Sequence, residues 1–307
     1  MNPIVTLGSL NMDLVVKTAR APMAGETVPG QDFFTIPGGK GANQAAAVAK
    51  LGWPVAMIGR VGADVFGERL RQNLIGLNVD CSRVVTDSEA PTGTATIVVE
   101  GSGENRIIIV AGANGRVSRA DVDAAASLIS TASLVILQFE IPLVTVEYAM
   151  ELANRHRIPV MLNPAPAYSV ADAFLTRANF LVLNETEAGI LCGLEVTDLP
   201  SAQRASHILI GRGVPVVVLT LGAQGALLAT AEEGMHLPAF PVSAVDTTAA
   251  GDAFVGALAV SYVRGLALRE CVRVANAAGA LAVTRLGAQP SLPTAEEIQD
   301  LLLANPA

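Results

Sequence analysis

The strongest constraint on the fold is a regular alternation of short apolar runs and helical stretches in the middle of the chain. The strand-like runs occupy residues 134–138, 159–163, 179–184 and 214–220, and a helical stretch precedes each of the last three. The runs are rich in Val, Ile and Leu, which is typical of parallel strands buried on both faces. The alternation predicts an α/β fold: a doubly wound, mostly parallel, Rossmann-like sheet with helices on both faces.

Composition fits one large α/β unit with a small appendage. The chain has 307 residues, of which 51% are apolar, and no linker divides it, so we interpret residues 1–307 as a single domain. The net charge of −8 and the lack of a basic cluster argue against nucleic acid as a partner.

The sequence gives no sign of a membrane span or a metal framework. The N-terminus enters a strand without a basic region, so we expect no signal peptide and a cytoplasmic location. The uncharged run 214–231 contains Gly222 and Gly225, which divide it into strand, turn and strand. Cysteines and histidines are scattered, at Cys81, Cys192, Cys271, His156, His207 and His236. Their spacing suggests neither a disulfide framework nor a zinc site.

Two patches of the chain contain strand-like pieces only. Residues 15–37 alternate short extended pieces with Pro and Gly, and residues 92–110 form a predicted hairpin with the turn GSGEN. We expect these patches, about 14–38 and 92–111, to form a small sheet over the main domain. Such a sheet could serve as a lid or as an oligomer contact.

The segment DTTAAGD (246–252) predicts an anion site. It follows an extended run (237–245) and opens into a helix rich in alanine, so its backbone N–H groups converge at a helix N-terminus. Asp252 then falls in the first helical turn. The ordinary interpretation of such an aspartate is a helix cap. A carboxylate beside an anion site instead suggests a general base for phosphoryl transfer to a hydroxyl.

A second turn of this type leads into the helix predicted at residues 38–52, where Lys40 and Asn43 are polar groups near a closely approaching backbone. The spacing matches neither a Walker loop nor a GxGxxG fingerprint. Asn11 and Asp13 follow the first predicted strand, residues 3–8. Polar residues also stand where the later strands stop: Glu140, Asn163, Asn184 with Glu187, and Thr220 with Gly222 and Gly225. Their convergence on one sheet edge predicts a ligand site.

The C-terminal part predicts two helices and a loop between them. Residues 267–285 form an alanine-rich helix, and residues 294–303 form an amphipathic one with Glu296 and Glu297 in its first turn. Gly287 and Pro290 force a loop between these helices, which could offer backbone carbonyls to a cation.

Two motifs resemble the signatures of the ribokinase-like (PfkB) carbohydrate kinases. GGKGANQAAAVAKLG (38–52), followed by Gly62, is similar to the first signature, and DTTAAGDAFVGALA (246–259) is similar to the second. The likeness covers nearly the whole chain, and GSLNMD, LNPAPA, NETEA and GAQPS are similar to the ribose-phosphorylating members. One position departs from the commonest pattern, DTxGAGD, because Ala249 stands where glycine is frequent. Alanine is small enough to be tolerated there.

The resemblance implies ATP-dependent phosphorylation of D-ribose at O5, and it assigns a role to each matched residue. Asp252 would be the general base, with an anion hole from the backbone of Ala249, Ala250 and Gly251. The sugar would be held by Asn11, Asp13, Gly39, Lys40, Gly41, Asn43, Glu140 and Asp252. Mg-ATP would be bound by Asn184, Thr220, Gly222, Gly225, Gly251 and Asn276, with Glu187 organising Mg²⁺ through water. A monovalent cation, K⁺, would be held by Asp246, Thr248, Ala282, Arg285, Gly287 and Ser291. The two β patches would be the family's lid, which commonly forms a homodimer contact.

Two other interpretations stay open from the sequence. A kinase of the same family could phosphorylate 2-deoxyribose, or a nucleoside or hexose. A non-catalytic sugar- or nucleotide-binding protein could use the same fold, although a pure binder has no need for Asp252 beside an anion hole.

Overall fold

The computed structural model describes residues 1–102 and 105–306. The described residues form thirteen strands: β1 (Ile4–Leu7), β2 (Asn11–Thr18), β3 (Gly30–Gly38), β4 (Val55–Gly62), β5 (Val79–Asp87), β6 (Gly93–Glu100), β7 (Asn105–Val110), β8 (Leu134–Gln138), β9 (Val160–Asn163), β10 (Phe180–Asn184), β11 (Val216–Thr220), β12 (Ala226–Thr230) and β13 (Gly234–Leu237). They also form eleven α-helices: α1 (Lys40–Lys50), α2 (Val65–Gly76), α3 (Arg119–Ala124), α4 (Ala126–Ile129), α5 (Leu143–Arg155), α6 (Asp172–Leu175), α7 (Glu185–Cys192), α8 (Leu199–Gly211), α9 (Ala250–Val263), α10 (Leu268–Ala282) and α11 (Ala295–Ala304). Short 3-10 turns lie at Gly112–Arg116, Gly222–Gln224 and Gln289–Ser291.

A nine-stranded sheet forms the centre of the molecule, in the order β13-β12-β11-β10-β9-β8-β1-β4-β5. All neighbours from β5 to β11 pair in parallel, and β12 and β13 add an antiparallel edge. The predicted doubly wound, mostly parallel sheet is therefore confirmed. Parallel strands need crossover connections, so the helices cover both faces and the strands between them are almost wholly apolar.

The two faces of the sheet carry separate hydrophobic cores. One joins the sheet to α1, α2, α9, α10 and α11, and the other joins it to the helices from α3 to α8. Small residues let α1 and α9 approach closely: a Cβ added at Gly256 would lie 2.5 Å from Ala47 Cβ. None of the helices formed by the described residues is long and apolar enough to cross a membrane.

A separate four-stranded sheet, the small sheet, has the order β3-β2-β6-β7. Its two hairpins are antiparallel, and the parallel pair β2–β6 joins them. The predicted β patches are thus one sheet, which begins at Asn11, three residues before the expected boundary at 14. Within the predicted turn GSGEN, Gly103 and Glu104 lie outside the described residues.

Two local predictions differ from the structure. The run 237–245 before α9 is not a strand: only Leu237 pairs, at the end of β13, and the backbone from Pro238 to Val245 is irregular. Pro238 and Pro241 lack the N–H that a ladder needs, which explains why pairing stops. The helical stretch expected before β10 is a single turn, α6. The predicted helices 267–285 and 294–303 are present as α10 and α11.

Candidate active site

The N-termini of α1 and α9 meet at the edge of the sheet where the parallel strands end. Asn43 contacts Asp252, and four residues further along both helices Ala47 faces Gly256, so α1 and α9 run parallel, side by side. A cavity of 190 Å³ opens at these helix ends. Residues lining it include four polar strand-end residues together with Lys40 of α1 and residues around the start of α9: Asn163, Asn184, Glu187, Thr220, Lys40, Thr247, Thr248, Gly251 and Asp252.

Asp252 lies in the first turn of α9 and is 5% exposed. Its Oδ2 accepts a hydrogen bond from Asn43 Nδ2 at 2.9 Å, and its Oδ1 accepts one from Gln44 Nε2 at 2.9 Å. Both donors belong to α1. The carboxylate is therefore held by the neighbouring helix, and the interpretation of Asp252 as a simple cap of its own helix finds no hydrogen bond among the described residues.

Burial and most of the neighbouring groups shift the pKa of Asp252 in opposite directions. The pKa of Asp252 is raised overall, because burial and the charge of Glu140 outweigh the Lys40 ammonium and the amides of Asn43 and Gln44, which lower it. Burial lowers the pKa of Lys40, but the carboxylates of Asp252, Glu140 and Glu187 outweigh it, so the pKa of Lys40 is raised overall. Lys40 therefore stays charged beside the cavity, where it favours ionised Asp252 and anionic ligands.

The N-terminus of α9 is open. Its N-cap residue, Ala249, offers no side-chain oxygen, and Ala250 N donates to Thr247 O at 3.3 Å. Within the described part of the chain, no hydrogen bond uses the N–H groups of Gly251 and Asp252. A Cβ added at Gly251 would meet nothing within 4 Å. Free N–H groups at a helix N-terminus bind anions.

The N-terminus of α1 is closed by the protein itself. Lys40 N donates to Glu140 Oε2 at 3.0 Å, Gly41 N to Ser9 Oγ at 3.4 Å, and Ala42 N to Ser9 O at 2.9 Å. The N-cap residue Gly39 has φ 90°, and a Cβ there would lie 2.7 Å from Asn11 N. The glycine signature at this turn is thus explained by backbone packing and by a left-handed conformation.

The carboxylates and amides predicted for the sugar lie around the base of the small sheet. Asn11 and Asp13 are buried in β2, and Glu140 accepts hydrogen bonds from Ser9 Oγ and Lys40 N. The pKa of Asp13 is raised to about 7, mainly by burial and further by the charges of Glu140 and Asp252. Asn43 Oδ1 is buried and has no hydrogen-bond partner among the described residues.

Two cavities lie next to these groups. One of 430 Å³ separates the small sheet from the loops before α9 and after α10, and Asp13 lines it together with Ile36 and Thr247. Another of 530 Å³ is lined by residues that include Asn11 and Glu140. Asn11, Asp13 and Glu140 therefore face open space at the base of the small sheet.

Glu187 and Asn184 form the start of α7. Glu187 Oε2 accepts from Asn184 N at 2.9 Å, and Asn184 Oδ1 accepts from Glu187 N at 2.8 Å, so the pair is a capping box. Burial raises the pKa of Glu187, while the Asn184 N–H and the Lys40 charge lower it. In the part of the chain that the structure describes, no group of three or more His, Cys, Asp or Glu side chains could hold a metal ion. A divalent ion here would need oxygens from a ligand or water.

Three residues predicted for the nucleotide do not line the 190 Å³ cavity: Gly222, Gly225 and Asn276. Gly225, with φ 99°, lies against the segment after β13, since a Cβ there would be 2.1 Å from Leu237 O. Asn276 Nδ2 donates to Leu237 O and Pro238 O at 3.1 Å each. Gly225 and Asn276 therefore fix the course of the 237–238 segment.

The residues predicted for a monovalent cation lie on two loops that Asp246 ties together. Asp246 Oδ1 accepts from Thr248 N at 3.0 Å, and Oδ2 accepts from Gly287 N at 2.8 Å. Burial raises the pKa of Asp246, but these hydrogen bonds outweigh it and the pKa is lowered. The Arg285 side chain pairs with Glu297 and the Ser291 hydroxyl donates to Ala288 O, while Ala282 O accepts from Arg285 N. Among the described residues, no hydrogen bond uses the backbone carbonyls of Asp246, Thr248, Arg285 and Gly287, so these oxygens stay open to a cation.

Four polar residues of the site were missed at the sequence level: Ser9, Gln44, Asn114 and Gln138. Gln44 stands in an alanine-rich helix, and Gln138 ends an apolar strand, so each was a visible polar exception in an apolar segment. Asn114 Nδ2 donates to Asn11 Oδ1 at 2.7 Å, across 103 residues of chain. No local pattern predicts a contact of that separation.

Comparison with known proteins identifies the family. The model of the pfkB family carbohydrate kinases matches residues 1–295. The chain is 43% identical to a ribokinase of Schizosaccharomyces pombe, over 96% of each chain, and 38% identical to a deoxyribokinase of Salmonella typhi, over 98% of this chain and 99% of the other. A structure of Arabidopsis thaliana ribokinase complexed with ribose and ATP superimposes with a TM-score of 0.93 at 34% identity, covering 98% of each chain. The chain belongs to the pfkB family of carbohydrate kinases.

Proposed function

We propose that the protein transfers the γ-phosphoryl group of ATP to O5 of D-ribose, giving D-ribose 5-phosphate and ADP. The observation that carries this proposal is the buried Asp252 beside the open N-terminus of α9. Relatives named for ribose phosphorylation, and a solved structure of one with ribose and ATP, support the choice of substrates.

Asp252 would act as the general base. A sugar hydroxyl is not ionised at neutral pH, so its proton must leave as the new O–P bond forms. The proton would pass from O5 to the carboxylate of Asp252, while the bond between the γ-phosphorus and the ADP oxygen breaks and ADP takes the electron pair. The predicted anion hole, the backbone of Ala249, Ala250 and Gly251 at the start of α9, would stabilise the charge on the transferring group together with the N–H of Asp252.

Hydroxyl recognition would use the polar groups around α1. Asn43 Nδ2 donates to Asp252, and the unpartnered Asn43 Oδ1 would accept a hydrogen bond from a sugar hydroxyl. We assign the remaining hydroxyl contacts to the other predicted residues: Asn11, Asp13, Gly39, Lys40, Gly41 and Glu140. A site built from such groups rejects sugars that lack a hydroxyl, because its own buried polar atoms then stay unpaired.

Nucleotide binding would use the other side of Asp252. Asn184, Thr220 and Lys40 line the 190 Å³ cavity with Gly251, and Gly222, Gly225 and Asn276 would shape the adjoining segment. Mg²⁺ would arrive with the phosphates and neutralise their charge. Glu187 would hold it through water, since its one free oxygen cannot form a cage alone.

A monovalent cation, K⁺, would bind next to the anion hole and stabilise the loop that leads into α9. Asp246 joins the loop before α9 to the loop at Gly287, and both loops carry backbone carbonyls that accept no hydrogen bond among the described residues. Carbonyl oxygens are the ligands that K⁺ uses in proteins. The full proposed set is Asp246, Thr248, Ala282, Arg285, Gly287 and Ser291.

The small sheet would act as a lid and as a homodimer contact. Its edge strands β3 and β7 carry apolar side chains that are strongly exposed, among them Phe33 at 63% and Ile108 at 67%. Exposed apolar patches of this kind mark protein contacts. Closure over the sugar would exclude water as a competing acceptor. We place the reaction in the cytoplasm, where ATP is available.

The test is ADP release with Mg-ATP against ribose, 2-deoxyribose, fructose and adenosine, each in K⁺ or Na⁺. The proposal expects the highest kcat/KM with ribose and stimulation by K⁺. Preference for 2-deoxyribose, the activity for which the Salmonella relative is named, would keep Asp252 and the anion hole but change the substrate. Absence of turnover with every sugar, while ATP still binds, would favour a non-catalytic binding protein.

A further inference from the structure

A chain of buried amides runs from the centre of the sheet to Asp252. Asn163 Nδ2 donates to Val182 O at 2.9 Å, and Gln44 Nε2 donates to Asn163 Oδ1 at 3.1 Å. The same Gln44 Nε2 donates to Asp252 Oδ1 at 2.9 Å, while Gln44 Oε1 accepts from Gln138 Nε2 at 2.6 Å. The two glutamines are fully buried. Neither has a role in the chemistry described above.

The direction of each amide in this chain is forced. Val182 O is a backbone carbonyl and only accepts, so Asn163 must turn its NH₂ group to it and its Oδ1 to Gln44. Gln44 must then turn its NH₂ group to Asn163 and to Asp252, which accepts in its ionised form. This leaves Gln44 Oε1 facing Gln138, which must donate. The fixed polarity means that Gln44 always offers a donor to Asp252.

The far end of the chain carries an unusual feature. Gln138 Oε1 is buried and has no hydrogen-bond partner among the described residues. A Cβ added at Gly8 would lie 2.0 Å from this oxygen, so a side chain at position 8 would displace Gln138. An unpartnered buried oxygen destabilises the fold. Gln138 nevertheless keeps this oxygen without a partner in the described part of the chain and turns its NH₂ group to Gln44. This is the orientation that the amide chain requires.

We propose that Gln44 is a positioning residue for Asp252, and that Gln138 helps Asn163 to hold Gln44 in the orientation that turns its NH₂ group to Asp252. The inference rests on the proposed function. Gln44 occupies Oδ1 of the carboxylate, so Oδ2, which is shared with Asn43, is the oxygen left to take the proton of the substrate hydroxyl. The Gln44 amide also stabilises the negative charge of a carboxylate that burial alone would favour in its neutral form.

The experiment compares the pH dependence of kcat/KM for the wild type, Gln44→Leu and Gln138→Leu. Hydrogen bonds to charged groups stabilise them strongly, so loss of the Gln44 donor should move the acid limb upward by about one pH unit. At the optimum pH, kcat should fall roughly ten-fold, with KM for the sugar changed much less. Gln138→Leu should shift the limb in the same direction by a smaller amount, because Asn163 still orients Gln44.

Thr145→Val is the matched control for a purely structural effect. Thr145 is buried, and its hydroxyl donates to Val117 O at 2.9 Å in the other core. Its loss should lower the unfolding free energy without moving the acid limb. The proposal would be overturned if the acid limb of kcat/KM in folded Gln44→Leu had the same midpoint pH as in the wild type. The same midpoint in Gln138→Leu and the wild type would also overturn it. If Gln44→Leu does not fold, the shift of the acid limb in Gln138→Leu alone tests the proposal. Lack of turnover in the wild type would instead overturn the proposed function, and this inference with it.

Discussion

The N-termini of α1 and α9 lie side by side, but their backbone N–H groups differ in hydrogen bonding: those of α1 are bonded within the protein, and those of α9 are free among the described residues. At α1 the groups of Lys40, Gly41 and Ala42 are bonded by Ser9 and Glu140. At α9 those of Gly251 and Asp252 are left free by the described residues. Each helix has glycine at its second position, yet Gly41 is pressed against the backbone of Gly8 and Ser9 whereas Gly251 has open space beside it.

The difference separates a structural turn from a ligand site. A Cβ at Gly41 would lie 2.7 Å from Ser9 N, so packing alone requires glycine there. No protein atom within 4 Å requires glycine at position 251. Gly251 instead leaves open space beside the free N–H groups of α9, which agrees with a phosphate bound there. At α1, by contrast, the polar groups that remain open belong to side chains.

The strongest test of the comparison removes the charge of Asp252. Asp252→Asn should lower kcat by at least about 10², while the affinities for ATP and ribose stay within a few-fold, because the base acts in the transition state. Steady-state kinetics and calorimetric titration measure the two effects. Asp300→Asn, in an exposed position of α11, is the control. Turnover near that of the wild type would remove Asp252 from the role of base.

The carboxylates on the α1 side provide a second test. In the unfolded chain Asp13 loses its proton near its ordinary pKa of about 4, whereas in the folded protein its pKa is raised to about 7. The folded state holds the extra proton between these values, so this group makes the protein less stable as pH rises through that window, and the loss persists above it.

Asp13→Asn should therefore stabilise the ligand-free protein, by about 3 kcal/mol more at pH 8 than at pH 5, and should weaken sugar binding. Urea unfolding at the two pH values measures the difference. Asp32→Asn, an exposed carboxylate on the same small sheet, is the matched control. An equal gain in unfolding free energy at both pH values would contradict the raised pKa.

A pair of alanine substitutions tests the two glycines directly. Gly251→Ala should raise the unfolding free energy by up to about 1 kcal/mol, because alanine favours a helix and has room, yet lower kcat/KM for ATP roughly ten-fold. Gly41→Ala should instead lower the unfolding free energy by about 1–3 kcal/mol through overpacking. Thermal unfolding and ATP kinetics separate the two. A Gly251→Ala variant with unchanged ATP kinetics would argue against a phosphate at α9.

The fold class was predictable because hydrophobic periodicity reports burial directly. The runs at 134–138 and 216–220 are apolar at every or nearly every position, which only a doubly covered sheet explains. The pairing β2–β6 was not predictable, since it joins segments about 80 residues apart and its parallel direction has no local signature. The extended run at 237–245 shows the limit of composition, because Pro238 and Pro241 keep this apolar segment from pairing beyond Leu237.

The site was predictable where a residue type implies a chemistry. Asp252, Glu140 and Asn43 stood out as polar groups at helix starts and strand ends. Gln44 and Gln138 did not, because a neutral amide carries no charge to mark it and gains its role only from partners 94 and 208 residues away. Contacts of this range are set by the tertiary fold.

The pairing register of the small sheet has a mechanical consequence. Asn11 pairs with Gly38 and Gly93, and Thr94 pairs with Val110, so all four strands join the body at the same end. The sheet is a cantilever whose far end, at Thr18, lies about 23 Å from Asn11 at the usual rise per residue. Tilting it by roughly 10° sweeps that end through about 4 Å but shifts Asp13 by only about 1 Å. The residues proposed to bind the sugar hydroxyls therefore lie near the pivot, where a tilt of the small sheet moves them least.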